Sequence, residues 1–281
     1  MTTDNIGMTS VPELVLKPHT GWQPVDFQEI WQGRELFAFL VWRDIKIRYK
    51  QTVLGGLWAL FQPLLAMLIF TVVFGRLAGI RTDGPPYSLF TYSGLVLWTF
   101  FANSVSISSN SLVGNQALVS KIYFPRVFIP LACIGALVLD LFIGLFLVFG
   151  LMIHYRWPLS IGCVWMPFYI LGTLLASSGL GLILSALNVS FRDVKYAVPF
   201  FIQMGLFVSP VIYPLSYIPA RFRILLGLNP MSGMIVGFRH SMIGGEVDWA
   251  LVGTSSTMAV ALFVAGLFIF RRMERRFADV I

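Results

Sequence analysis

The sequence predicts an all-α integral membrane protein: six transmembrane helices, an N-terminal amphipathic interface helix, and two short re-entrant helices between helices 5 and 6. Of the 281 residues, 57% are hydrophobic and only 12% are charged, about half the charged fraction of an ordinary soluble domain. The few charges lie at the ends of long apolar runs. Prolines also divide one late apolar run into pieces too short to cross a membrane.

The charge-poor runs define the transmembrane segments, because a helix needs about 20 apolar residues to cross the hydrocarbon core. We place the six spans near residues 54–75, 88–111, 127–152, 162–187, 196–213 and 249–270. In the fourth span Ser177, Gly181 and Ser185 recur every four residues, a pattern typical of close helix contact. The hydroxyls and amides of residues 103–111 are predicted to line either a packed interface or a wet passage, because they cannot face lipid cheaply.

Asp140 is an acid in the middle of the third span. Such a residue is expected to face the interior of the bundle, and an intramembrane acid is a candidate for function. A proton relay would need a second intramembrane acid or a histidine, and the predicted spans contain neither. We therefore favour a role for Asp140 as a structural hydrogen-bond anchor.

Lysine and arginine are unevenly distributed between the two sides of these spans. Fourteen of the 20 lie on the side of the amino terminus, and cytoplasmic loops carry such an excess. The other six are Arg76, Arg81, Arg156, Arg221, Arg223 and Arg239. Both termini are therefore predicted to be cytoplasmic, with residues 1–28 as a cytoplasmic tail. This polar tail does not resemble a cleaved signal peptide, so the first span is expected to direct insertion.

Residues 29–50 are predicted to form an amphipathic helix in the plane of the membrane surface. Its basic face consists of Arg43, Lys46 and Lys50. Its apolar stripe consists of Phe37, Leu40, Val41 and Ile45. Asp44 and Arg48 project from the middle of this stripe, where they could pair with each other. They could also meet a partner through that face, or lie exposed among lipid headgroups.

The region between residues 205 and 245 contains four prolines that interrupt its apolar sequence. One short helix is expected from Pro219 to Leu228. A second is expected to begin with Asn229 as its cap and Pro230 at its first position, and to stop at Gly244. Broken helices at membrane depth persist only inside protein or against a water-filled cavity, so this region predicts a translocation path.

Catalytic chemistry is not indicated anywhere in the chain. There is no Gly-x-x-x-x-Gly-Lys-Ser/Thr segment for ATP hydrolysis. The three histidines are far apart in sequence, and both cysteines, Cys133 and Cys163, lie in apolar runs. We expect no catalytic residue, no metal site and no bound cofactor. The formal charge of +7 suits orientation in an anionic bilayer better than binding to nucleic acid.

Six segments, in order along the chain, carry a resemblance to a known family. They are Arg-Asp-Ile-Lys-Ile-Arg-Tyr-Lys-Gln-Thr-Val-Leu-Gly (43–55), Trp-Ala-Leu-Phe-Gln-Pro-Leu (58–64), Lys-Ile-Tyr-Phe-Pro-Arg (121–126), Leu-Asn-Val-Ser-Phe-Arg-Asp-Val (187–194), Ser-Pro-Val-Ile-Tyr-Pro (209–214) and Leu-Asn-Pro-Met (228–231). Together they resemble the membrane permease of polysaccharide ABC exporters of the ABC-2 class, which move O-antigen, capsule or teichoic-acid chains. The resemblance runs from about Trp22 to the carboxyl end.

This resemblance implies a homodimeric, multi-pass permease of the inner membrane. Two copies of a separate ATPase subunit, which binds ATP and magnesium, would drive export of a glycan linked to a polyprenyl diphosphate lipid. Within the permease domain, residues 51–281, it implies a coupling helix at 112–124 and paired re-entrant periplasmic helices at 214–243. The interface helix would be residues 29–50. The residues implied to contact the ATPase are Asn115, Leu118, Lys121, Tyr123, Phe124, Phe191, Arg192 and Asp193.

A passage for a hydrated sugar chain needs walls that touch sugar faces without fixed charge, and aromatic rings provide such surfaces. The aromatic residues proposed as partial channel lining are Trp58, Phe61, Trp98, Phe101, Phe207, Tyr213 and Tyr217. They could instead belong to the core or to the membrane-interface belt. The basic face of the 29–50 helix could attract the diphosphate headgroup or anchor the helix to anionic lipid.

Two other functions remain open at this point, and one variant tests the role of the interface helix. The chain could be an ABC-2 permease for a drug or small lipid, or an ion-gradient-driven flippase for lipid-linked sugars; the lack of a charged relay disfavours the flippase. If the helix transmits motion, Asp44→Ala is expected to impair export more than membrane insertion. Equal losses of membrane level and export would make the segment a simple anchor.

Overall fold

The computed structural model describes residues 31–50, 55–82, 84–121, 124–274 and 277, and every regular element within them is a helix. The helices are α1 (Arg34–Lys50), α2 (Gly55–Phe70), α3 (Tyr87–Gly114), α4 (Gln116–Lys121), α5 (Phe128–His154), α6 (Met166–Ser190), α7 (Val194–Val208), α8 (Ala220–Gly227), α9 (Pro230–Ile243) and α10 (Trp249–Glu274). A π-helical segment, Thr71–Leu77, continues α2, and short 3-10 turns cover Ile161–Trp165 and Leu215–Tyr217. The predicted cytoplasmic tail lies outside the described residues.

Four helical segments of the described chain are long and apolar enough to cross a membrane. They are Leu60–Leu77, Phe128–His154, Ile161–Ser190 and Trp249–Glu274. They coincide with the first, third, fourth and sixth predicted spans. The helix α3, predicted as the second span, has 28 residues but carries the serine- and asparagine-rich end that lowers its hydropathy.

The fifth predicted span, residues 196–213, differs from the structure. The helix α7 has 15 residues and ends at Val208, five residues before the predicted boundary. Ser209 is extended, with φ of −86° and ψ of 146°, as expected for a residue that precedes a proline. Pro210 also has no N–H with which to continue the helical hydrogen bonds. The chain then proceeds to Tyr213 without regular structure.

Two short helices follow, close to the positions predicted from the prolines. The helix α8 begins directly after Pro219, which occupies its cap position. At the start of α9 the side-chain oxygen of Asn229 accepts a hydrogen bond from the Met231 N–H at 3.0 Å. The helix ends at Gly244, whose φ of +91° favours glycine. The predicted starts and stops of both helices are confirmed to within a few residues.

The helices α3 and α6 form the centre of the bundle and run in the same direction. The seam predicted in α6 is the contact between them: a Cβ on Gly181 would lie 2.1 Å from the Ser108 hydroxyl. On another face of α6, Gly179 meets the α10 backbone, because a Cβ there would lie 2.5 Å from the Leu262 carbonyl carbon. Backbones approach this closely only where residues are small.

The serine- and asparagine-rich end of α3 is largely part of this packed interface. Ser104, Ser108 and Ser109 are buried. Near the end of α6, the Asn188 amide donates to the Ser109 carbonyl at 2.9 Å and to the Asn110 side chain at 3.2 Å. Of the two alternatives, a packed interface or a wet passage, these contacts favour the packed interface for the buried serines. Asn110 remains exposed.

The α3–α6 seam yields a stability prediction. Gly181→Ala is expected to destabilise the protein by about 1–3 kcal/mol, because the new methyl group overlaps the Ser108 hydroxyl. Adding Ser108→Ala removes that oxygen and should recover most of the loss. The control is Gly253→Ala on α10, where nothing lies within 4 Å of the added carbon. Thermal unfolding of the detergent-solubilised protein measures all three, and a double variant as unstable as the single one would contradict this packing.

Candidate functional site

The helix α1 packs along the first half of α5 through its predicted apolar stripe. Leu40 is buried, and the rings of Phe37 and Phe128 lie 5.6 Å apart. Val41 fills the space above Gly135, where an added Cβ would meet its Cγ2 at 3.0 Å. Phe37, Leu40 and Val41, three of the four stripe residues, therefore pack against protein.

Successive residues of α1 contact successive residues of α5, from Phe37 against Phe128 to Tyr49 against Asp140, so the two helices run in the same direction. The segment of α5 from Phe128 to Asp140 rises about 18 Å. The helix α1 is predicted to lie in the membrane plane, and these contacts place it alongside α5. The helix α1 follows α5 because residues of its apolar stripe contact residues of α5.

Asp140 of α5 is the partner of the two residues at the end of α1. The Arg48 Nη2 lies 2.5 Å from a carboxylate oxygen of Asp140, and the Tyr49 hydroxyl donates to the other oxygen. Burial, followed by the hydrogen bond to Asp140, raises the pKa of Tyr49, so its hydroxyl remains a donor. The predicted role of Asp140 as a hydrogen-bond anchor agrees with this geometry.

Asp44 and Arg48 do not pair with each other, contrary to the first alternative of the sequence analysis. Asp44 accepts from Arg43 Nη2 at 2.8 Å and lies 3.4 Å from the Cys133 sulfur of α5. Arg48 is turned towards Asp140. The second alternative, a partner met through the apolar face, therefore describes the structure, and that partner is a helix of the same chain.

The basic face of α1 is smaller than predicted. Arg43 is half-buried and bonded to Asp44, so only Lys46 and Lys50 of the predicted trio are exposed. The exposure of Phe39 and Trp42 on this helix, and of Trp31 just before it, was not predicted. The spacing of three residues between Phe39 and Trp42 was the available signal.

The predicted coupling helix, residues 112–124, is divided in the structure. Its first residues belong to α3, and the short helix α4 follows after Asn115, whose side chain donates to the Ser111 carbonyl at 2.8 Å. Phe124 is only 8% exposed and packs in a core cluster with Val119. Phe124 is therefore not a surface contact, whereas Lys121 is exposed and Leu118 is half-buried. Tyr123 lies outside the described residues.

The turn between α6 and α7 is exposed at the same end of the bundle. Phe191 is 61% exposed, and Arg192 and Asp193 are exposed beside it. The Asn188 bond to the end of α3 places this turn near α4. The two predicted docking segments thus share one end of the molecule.

The end of α10 is tied to the loop that follows α4, a contact that sequence reasoning missed. The Arg126 N–H donates to the Glu274 side chain at 3.0 Å, and Arg126 Nη1 donates to the Glu274 carbonyl at 2.7 Å. Phe270 and Phe277 pack edge to face beside it, with centroids 5.4 Å apart. No short motif marks this pairing, because its partners are far apart in sequence.

At the opposite end, Arg239 of α9 is 3% exposed and holds the break after α7. Its guanidinium donates to the carbonyls of Phe90 (3.1 Å), Pro210 (3.0 Å) and Val211 (3.0 Å). It also lies 3.6 Å from the centroid of the Phe90 ring. A Cβ on Gly94 would be 2.5 Å from its Nη2, so that glycine provides the space. The sequence identified Arg239 only as one of the six cations on the side opposite the amino terminus, and this role was not predicted.

The seven aromatic residues proposed as channel lining fall into two groups. Trp98 and Phe101 are 6% and 7% exposed and pack inside the chain, with Trp98 against Gly205 of α7. They do not line an outer face of this chain. The remaining five are Trp58, Phe61, Phe207 and Tyr217, which are exposed, and Tyr213, which is half-buried.

The architecture can now be compared with known proteins. A family model described as ABC-2 type transporter matches residues 35–243. The chain belongs to the ABC-2 type transporter family. The matched region of this ABC-2 protein contains α1 with its Asp140 contact, the exposed α6–α7 turn and the helix of Arg239. Membership implies association with an ATPase subunit.

Characterised relatives cover nearly the whole length of this ABC-2 chain. It is 31% identical over 263 residues to the O-antigen export system permease protein RfbA of Myxococcus xanthus, covering 90% of this chain and 98% of that protein. It is 29% identical over 248 residues to RfbA of Klebsiella pneumoniae, covering 88% and 95%. The polysialic acid transport protein KpsM of Escherichia coli is 24% identical over 242 residues, covering 83% and 91%.

Proposed function

We propose that this chain is the membrane permease of an ATP-driven exporter that moves a lipid-linked polysaccharide, with O-antigen the favoured substrate, to the periplasmic side of the inner membrane. One observation carries the proposal: the alignment with an O-antigen export permease covers 98% of that protein and 90% of this chain. Such coverage includes both the membrane helices and the segments that face the cytoplasm.

The proposal includes six spans with both termini in the cytoplasm. To the four long apolar segments it adds α3 and the shorter α7, extended by the irregular chain to Tyr213. The grouping of the polar ends supports it. The helix α4, the Phe191 turn and the Arg126–Glu274 contact share one end, where the sequence predicts an excess of positive charge.

The short helices α8 and α9 are proposed to enter the outer leaflet and return without crossing. Their 8 and 14 residues are too few to span a bilayer. The contacts of Arg239 satisfy carbonyls left open by the break after α7, which a lipid environment could not do. These hydrogen bonds of Arg239 suit a rigid outer end of a translocation path.

The path is proposed to run between two copies of this chain, past the faces of α2 and α7. Both helices expose large apolar side chains, among them Phe61 and Phe207. Each face also exposes an amide, Gln62 on α2 and Gln203 on α7. An amide facing lipid is unfavourable, so these faces suit a second subunit or a wet passage better than a lipid surface.

Two copies of the ATPase are proposed to dock on the exposed residues of the cytoplasmic end, Lys121 and the Phe191–Asp193 turn. The permease itself would hydrolyse no ATP. The helix α1 is proposed to move with α5, because the Arg48–Asp140 ion pair and the apolar stripe join them.

Deletion of the gene tests this function. Cells without the chain are expected to lose surface polysaccharide and to retain the lipid-linked polymer inside, while the wild-type chain restores the surface polymer. Immunoblots of surface and total polysaccharide make the measurement. Normal surface polysaccharide in the deletion strain would contradict the proposal and favour the drug or small-lipid alternative.

A further inference from the structure

A cavity of about 490 Å³ lies at the end of the bundle opposite α4. Its walls come from the start of α3, the turn before α8, the helices α8 and α9, and the segment 244–248. Binding sites for small molecules have volumes of about 300–1,000 Å³, so the space suits a compact ligand. Under the topology proposed above, it faces the periplasm.

The polar groups of the wall are charged but balanced. They comprise two guanidinium groups, Arg223 and Arg239, two carboxylates, Glu246 and Asp248, the imidazole of His240 and the hydroxyl of Ser216. The formal charges of the two guanidinium groups and the two carboxylates cancel. A site for a phosphate or for a polyamine needs an excess of one sign, so this balance favours a ligand without net charge.

Donors and acceptors are both present at fixed positions. Arg239 is held rigidly by three carbonyl groups, which engage three of the five N–H donors that a guanidinium carries. Arg223 donates to Asp248 at 3.4 Å and to the Ile218 carbonyl at 3.3 Å. The carboxylates accept hydrogen bonds, so the wall can serve both the hydrogen and the oxygen of a hydroxyl group.

A double-glycine turn forms one side of the cavity. Gly244 and Gly245 have φ of +91° and +118°, a region that other residues rarely adopt. A Cβ on Gly245 would lie 3.3 Å from the His240 ring. The turn therefore brings the chain close to α9 and leaves the exposed Glu246 at the cavity.

We propose that this cavity binds a neutral sugar unit of the glycan as it leaves the permease; this inference rests on the proposed function. A sugar hydroxyl donates to the carboxylate of Glu246 and accepts from a guanidinium, which the balanced wall provides. The C–H faces of the ring contact the apolar part of the wall, which includes Pro85, Pro214 and Leu215. The permease would thereby bind the glycan at its periplasmic end between transport steps.

Binding of a defined sugar tests the proposal directly. The probe is the oligosaccharide repeat released from the host's own surface glycan, titrated calorimetrically into the permease–ATPase complex in lipid nanodiscs. Glu246→Gln is expected to weaken binding about tenfold, the loss of one charge-assisted hydrogen bond. Arg221→Gln, on the exposed side of α8 outside the cavity, is expected to bind like the wild type.

A blocking variant extends the test to export. Glu246→Trp should fill the cavity and lower surface polysaccharide several-fold at unchanged membrane level, whereas Arg221→Trp should not. If Glu246→Trp fails to accumulate, the binding loss in Glu246→Gln decides alone. Wild-type binding in Glu246→Gln would overturn the sugar site and leave the proposed function intact. Normal surface polysaccharide after deletion of the whole chain would instead reject the function.

Discussion

Arg239→Met is expected to destabilise the protein strongly and to lower the amount that accumulates in the membrane. Methionine keeps much of the side-chain volume but donates no hydrogen bond, so the carbonyls of Phe90, Pro210 and Val211 lose their partner. Each buried carbonyl left unsatisfied costs about 1–3 kcal/mol. Total folding free energies are about 5–15 kcal/mol, so the sum is a large fraction of the stability. The apparent melting temperature should fall by roughly 10 °C or more.

Two variants make this result specific. Arg239→Lys retains the charge but replaces the planar guanidinium with a compact ammonium group. We therefore expect its stability to lie between that of the wild type and that of Arg239→Met. Arg221→Met removes an exposed cation from the neighbouring helix α8 and should change little. Size-exclusion profiles with temperature, recorded on solubilised membranes, give the comparison. If Arg239→Met were as stable as Arg221→Met, the hydrogen bonds of Arg239 would not stabilise the fold.

Asp140→Ala and Arg48→Ala are expected to reduce export about tenfold each while membrane levels stay close to normal. Either change separates the end of α1 from α5, and a coupling of about 1–1.5 kcal/mol corresponds to a tenfold effect. Because both changes remove the same contact, export by the double variant should be no lower than export by the less active of the two single variants. The measurement is surface polysaccharide normalised to permease level.

The matched control for this pair is Lys46→Ala, an exposed cation on the same helix. It should export within about twofold of the wild type, as a surface charge contributes little to structure. Additive losses in the double variant would mean that Arg48 and Asp140 act separately. Proportional losses of membrane level and export would reduce α1 to an anchor.

The breaks in the helices could be predicted from the sequence because their causes are local. Pro219 fixes the start of α8, and Asn229 and Gly244 act through their own side-chain or backbone conformation. The long apolar runs likewise identify their spans from composition. Boundaries shifted by a few residues where a proline acted on its predecessor, as at the end of α7.

Pairings between distant segments could not be predicted in the same way. Nothing near Arg48 specifies Asp140, and the motif that contains Arg48 is equally compatible with an exposed helix. Arg239 offered a clearer signal, since it is a single arginine within a helix of small and apolar residues. A buried arginine needs hydrogen-bond partners, and Arg239 donates to carbonyl groups at a helix break.

Aromatic residues were the least predictable part of the site. Trp98 and Trp58 look alike in sequence, each in an apolar helix, yet Trp98 is buried against Gly205 and Trp58 is exposed. Core packing and channel lining use the same residue types at the same helical spacing. Only the position of the neighbouring helix separates them, and that depends on the whole bundle.

ATP-dependent transport in a purified system tests the central claim most directly. The permease and its partner ATPase are reconstituted into liposomes with the host's lipid-linked glycan, and a glycosidase added on the far side reports translocation. The account predicts that glycan becomes accessible only with ATP and magnesium and only with both subunits present. Translocation by the permease alone, or driven by an ion gradient without ATP, would contradict it.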